Sequence, residues 1–176
     1  MRRIMTSLSV VLTLLFWAAF ATAAEIESRY ATIVYEGEDL LRELNDGVRL
    51  RSLSFFMKSR AGLTVADEVG SKVDVVLARV EKVLEMFPKN MKFRIVLLPS
   101  DKEVAKAYKR LYARNVDFIS FYSPHDKTVY LSVNDANLNV LAHELAHVVV
   151  DHYFSISLPA KIHEVLAQFA ETHLED

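Results

Sequence analysis

Apolar side chains recur at helical spacing over Val69, Val73, Val76, Leu77, Val80, Val83, Leu84 and Phe87, until Pro88. A stripe of that width predicts an amphipathic helix with one face on a core. Thr64 stands where an N-cap belongs, and Glu68 suits the first turn. Alternation then takes over. Residues 92–98 (KFRIVLL) alternate and run apolar into Pro99, as a central strand does. Residues 29–35 predict another strand, closed by a turn around Gly37. Residues 39 to about 60 read as helical with a break at Gly47, and Ser100 caps a helix from 101 to about 112. Residues 118–122 and 128–133 predict two strands around a turn at Pro124-His125-Asp126. From about Ala136 to Tyr153 the chain is apolar on nearly every face (Leu138, Leu141, Ala142, Leu145, Ala146, Val148, Val149, Val150), which predicts a largely buried helix with Asn134 or Asp135 as its N-cap. Ser157 and Pro159 open a last helical segment. The expected class is α+β, with a mixed sheet of about four strands packed on helices.

The front of the chain follows a different pattern. Arg2 and Arg3 precede an apolar run from Leu8 to Phe20, and Ala21-Thr22-Ala23 fits a small-x-small cleavage site. Residues 1–24 therefore read as a signal peptide, which makes the rest exported, periplasmic or secreted, in the bacterial manner. The run is short for a span, which needs roughly 20 apolar residues, so a membrane association rests only on an uncleaved leader. The chain has no cysteine, hence no disulfide and no lipid anchor on a thiol. Without the leader, 19 basic side chains face 23 acidic ones. That mild negative balance argues against a nucleic-acid partner. Residues 25–176 suffice for a single domain with its own core, residues 25–65 being an N-terminal extension of unassigned role: part of the sheet, a cover or a pro-segment. Oligomeric state is not readable.

The chemistry sits in the buried helix, at His143-Glu144-Leu145-Ala146-His147. Histidines four apart share one helical face, so both imidazoles reach one ion. Glu144 follows the first histidine and can stand beside that ion without ligating it. Two nitrogen ligands and a general base for water are what a zinc hydrolase needs. Two histidines and a glutamate buried together are costly unless something satisfies them. The bland alternative is a pair of satisfied core histidines with Glu144 at the rim. A catalytic zinc takes a third protein ligand and keeps one open position. Downstream, His163, Glu164 and Gln168 lie in the last helical segment, and His152 lies five residues past His147.

An HExxH helix, a short loop and a helix carrying Glu164, Leu166, Ala167 and Phe169 is similar to the gluzincin branch of zinc metallopeptidases. The resemblance implies a zincin-like fold with an HExxH metal helix and a C-terminal glutamate helix. It implies one Zn2+ per chain, held by His143, His147 and Glu164, with Glu144 as general base. The departures are His163 for the usual Asn and Val165 for the usual Gly, a bulkier residue between the two helices. His163 and His152 compete for the third position. Adjacent helical residues point about 100° apart, so His163 and Glu164 do not both face one ion, and His152 is turned off the ligand face. Gln168, four after Glu164, stands where it can accept a ligating histidine's N–H.

In the family, the last strand before the metal helix edges the cleft and pairs with extended substrate. That role falls on Thr128, Val129, Tyr130, Leu131, Ser132 and Val133, whose alternation suits it. The chain stops soon after the second motif and resembles the minimal members of the branch. Tyr122, Tyr130, His152 and Tyr153 are the candidates to stabilise an oxyanion. The expected activity is hydrolysis of peptide or protein substrates by zinc-activated water. The alternatives are a catalytically weak or inactive binding or scaffold protein on the same fold, and a zinc amidase acting on cell-wall material.

Overall fold

In the computed structural model, which describes residues 23–57 and 64–176, the alternating segments pair into one mixed sheet of five strands. These are β1 (Ala24–Glu27), β2 (Ala31–Tyr35), β3 (Phe93–Leu98), β4 (Ser120–Ser123) and β5 (Thr128–Ser132), in the spatial order β1-β2-β3-β5-β4. β2, β3 and β5 run parallel; β1 and β4 close the two edges antiparallel. The expectation of about four strands is corrected by β1. Its only half-buried residue is Ile26, the other three being exposed, so it carries no alternating apolar signal. Its pairing with β2 makes it a strand. Of the expected leader, residues 1–24, residues 1–22 lie outside the described residues, and Ala24 is the first of β1.

The helices are α1 (Glu38–Gly47), α2 (Val65–Leu84), α3 (Asp101–Tyr112), α4 (Leu138–Tyr153) and α5 (Ala160–Thr172), with a 3-10 turn at Arg51–Phe56. The helix expected from 39 to 60 thus stops at Gly47, and its last stretch, 58–60, lies outside the described residues. Gly47 lies against Ala136, and a Cβ there would overlap the Ala136 carbonyl oxygen. The described part of the expected extension, residues 25–57 and 64–65, contributes to the sheet and the core. β1 and β2 belong to the sheet, and Ile33, Leu41, Leu44, Val48 and Leu53 join the main core.

The pleat divides the side chains into two sets. Phe93, Ile95 and Leu97 of β3 and Val129 and Leu131 of β5 pack with α2 and α4 in the main core. Leu98, Phe121 and Tyr130 project to the other face and meet Val104 and Ala107 of α3. α2 starts at a capping box in which the Thr64 hydroxyl accepts from the Asp67 amide and the Asp67 side chain returns the bond, and Glu68 stands in the first turn as expected, beside Asp67. It ends at Leu84 because Glu85 adopts a left-handed conformation, which leaves Phe87 exposed and not in the core stripe. α4 is capped by Asn137, whose side-chain Oδ1 accepts from the amides of Asn139 and Val140. Asp135 is unavailable, its carboxylate taken by the Ser132 hydroxyl at 2.7 Å. Each Leu or Val that α4 buries stabilises the fold by about 1.5–3 kcal/mol, which holds its polar residues in register. α5 lies along α4 through Ala167 and Ala170. Its far end is tied to the first half of the chain: Arg79 Nε donates to the Leu174 carbonyl at 2.6 Å, and Glu175 accepts from Arg51 and Ser52.

Candidate metal centre

α4 carries His143 and His147 one turn apart, their Nε2 atoms separated by 3.2 Å. Ser157, Leu158 and Pro159 turn the chain back so that α5 brings Glu164 over both rings. Its carboxylate oxygens lie 3.5 Å from His143 Nε2 and 3.6 Å from His147 Nε2. One ligand atom from each of the three lies within 4.8 Å of the others, so the group could hold a metal ion. Burial, then the neighbouring His143 and His163, press the His147 imidazole down to about 3. It is therefore neutral at physiological pH, the form that ligates metals. Two nitrogens and a carboxylate converging on one point, with an open side, are the donor set of a three-ligand site.

The other nitrogen of His143 is held by Glu171, whose Oε2 lies 3.1 Å from Nδ1. This is the orienting contact expected of Gln168, and the expectation is corrected: Gln168 is exposed on α5. The spacing explains the exchange. Seven residues bring a side chain back to within about 20° of the starting direction, whereas four overshoot by about twice that. Glu171→Ala is expected to weaken metal binding by about 10–100-fold, read by competition with a metal-ion indicator. An unchanged affinity would remove Glu171 from the site.

Glu144 reaches toward β4, lines the same cavity as the three-residue group, and is 5 % exposed. The Ser120 hydroxyl donates to its Oε1 at 2.7 Å, while Oε2 is buried with no hydrogen-bond partner among the described residues. Burial pushes this carboxyl up to about 7, although the Ser120 hydroxyl, His143 and the Tyr122 amide pull the other way. A buried carboxylate oxygen left bare costs about 1–3 kcal/mol. It is worth keeping where that oxygen must stay open to something that enters. No local pattern marks Ser120. It belongs to a short strand, and only the packing of β4 against α4 brings it to Glu144.

The edge assignment is also corrected. Thr128, Val129, Tyr130, Leu131 and Ser132 are paired on both sides, with β3 and with β4, and the Val133 amide bonds to Leu98. β5 leaves its hairpin with β4 and inserts next to β3, so the strand that edges the sheet beside α4 is β4. Of the candidate oxyanion donors, Tyr122 lines the cavity over the site, but its hydroxyl is given to Asp151 Oδ2 at 2.8 Å, where Lys127 also binds. Tyr130 is on the other sheet face, bonded to Asp126 and stacked on Phe121. The His152 ring meets the Val148 carbonyl, and Tyr153 is half exposed against Phe154. His163 lines the cavity with its ring 5.8 Å from that of His147, outside the three-ligand group. Val165 faces solvent and does not separate the helices.

The cavity measures about 890 Å3. Five carboxylates line it (Asp117, Glu144, Asp151, Glu164, Glu171), and among the described residues no lysine or arginine does. No helix among them is long and apolar enough to cross a membrane. No protein-family profile, curated protein or solved structure matches this chain.

Proposed function

We propose that the protein is an exported, zinc-dependent peptidase with a zincin-like fold of the gluzincin type. The observation that carries the reading is a convergence. His143, His147 and Glu164 meet beside a buried Glu144 with one bare oxygen, on a cavity bordered by the outer edge of β4. His143, His147 and Glu164 would hold the zinc, which would supply a Lewis acid to lower the pKa of water and polarise a carbonyl. Glu144 takes the proton of the attacking water on Oε2 and passes it to the leaving amine, while Ser120 holds Oε1 and so fixes which oxygen works. Glu171 fixes the His143 ring, keeping Nε2 toward the ligand point. The edge of β4 gives an extended substrate backbone a partner for its hydrogen bonds. The leader pattern in residues 1–24 supports export.

Zinc analysis of the purified chain tests this. About one zinc per chain is expected in the parent, lost or strongly weakened in His147→Ala and Glu164→Ala, together with cleavage of unfolded protein substrates by the parent alone. A parent that takes up no zinc at neutral pH would overturn the reading.

A further inference from the structure

β4 alternates its side chains between the two faces of the sheet. Ser120 and Tyr122 point to α4 and meet Glu144 and Asp151. Phe121 points the opposite way and packs on Tyr108 of α3 and Tyr130 of β5, with ring centres 5.0 and 4.8 Å apart. Just before β4, Phe118 stands edge-on to Tyr108 at 5.2 Å, and Tyr108 leans on Tyr112 at 4.7 Å. Phe118, Ile119 and Tyr112 keep 43 %, 39 % and 37 % of their surface exposed. All three line the same cavity as His143 and Glu144. That cavity therefore draws its walls from both faces of the sheet at its β4 edge. One wall is the metal centre. The other is a shelf of large apolar rings left partly in water, which marks a recognition surface.

We propose that this shelf, built by Tyr108, Tyr112, Phe118 and Ile119, selects an aromatic or large aliphatic side chain of an extended peptide added to β4. The geometry follows from the pleat. A peptide laid along β4 is a strand itself, so its successive side chains alternate between the faces. Those on the α4 side lie over Glu144 and the metal ligands. Those on the other side meet the shelf. Aromatic rings pair edge-to-face or offset with such a surface, adding to the area they bury. The apolar shelf itself, with Asp117 next to Phe118 in the cavity lining, disfavours an acidic residue at the same positions. The substrate class is thus an unfolded or strand-forming polypeptide segment with an aromatic residue next to the bond and no acid beside it. The cleavage half of this statement rests on the peptidase reading; the binding half does not.

Binding and cleavage are separated by measuring both. Fluorescence anisotropy on the full chain carrying Glu144→Gln, with and without added zinc, would use labelled eight-residue peptides differing at one position (Phe, Leu, Ala or Asp). The Phe peptide is expected to bind about tenfold more tightly than the Ala peptide, and the Asp peptide most weakly. Adding Phe118→Ala should erase most of that discrimination, and Ile119→Ser should reduce it without touching a ring. Discrimination that survives both substitutions, or no binding to any of the peptides, overturns the proposal. Parallel digestion of the Phe peptide by the parent addresses the other claim. Aromatic-selective binding without cleavage leaves the shelf standing and removes the peptidase.

Discussion

Glu144→Gln is expected to leave the fold and the metal content intact and to lower peptide cleavage by about 10²–10⁴-fold, the usual contribution of a positioned general base. The two side chains have the same shape. A glutamine oxygen accepts the Ser120 bond as the carboxylate does, so β4 keeps its contact with α4. The ligands are untouched, because Glu144 is outside the His143, His147 and Glu164 group. What is lost is the bare Oε2 that takes up a proton. The substitution also replaces a buried carboxylate, whose second oxygen has no partner among the described residues, by a neutral amide, so the melting temperature should hold or rise. Zinc per chain, Tm and cleavage of a peptide mixture decide the matter together. A variant that keeps its zinc and still turns over at a tenth of the parent rate or better would end the general-base assignment.

Gly47→Ala should carry the largest stability effect of any conservative change considered. On propensity alone it would help, since alanine in a helix is favoured over glycine by about 1 kcal/mol. Space decides otherwise. A Cβ at Gly47 overlaps the carbonyl oxygen of Ala136, which is backbone and has no rotamer to turn. Overpacking costs about 1–3 kcal/mol, and a rigid obstacle sets it near the upper end. The net loss is about 2 kcal/mol, or roughly a 4–8 °C fall in Tm for a domain of this size. The relief of the clash has a direction. Ala136 leads into Asn137, the cap of α4, so the strain enters the helix that carries both histidines. Thermal melts of the two proteins give the answer, and an unchanged or raised Tm would show that α1 shifts freely.

Local patterns carried the reading a long way in some places and failed in others for one reason. A helix writes its burial into its own spacing. α2, α4 and α5 were therefore legible, as was the pairing of His143 with His147, and Glu164 lies with them. Their exact starts were not, because caps compete: Asn137 outdid Asp135, which was already bound to Ser132. Strand neighbours are not written locally at all. β5 shows the alternation of an edge strand and sits inside the sheet, while β1 shows none and is a strand. Ser120 reaches the site only through that tertiary arrangement. Glu171 was open to a finer argument, since a seven-residue step realigns on a helix better than a four-residue one.

The tie between Glu175 and the 3-10 turn spans 124 positions of sequence, and the parallel pairing of β2 with β3 closes another long interval. Such contacts are entropically late. Each must close its loop before it returns any stabilisation, so a chain organised this way folds slowly for its size. Helical pairs form in microseconds or less, which brings His143 and His147 to one face long before the sheet is in order. Glu164 comes over them when α5 folds back on α4, a short-range pairing of neighbouring helices. The three-ligand point is therefore expected to assemble from neighbouring parts of the chain, ahead of the long-range ties that fasten the end of the chain to its first half.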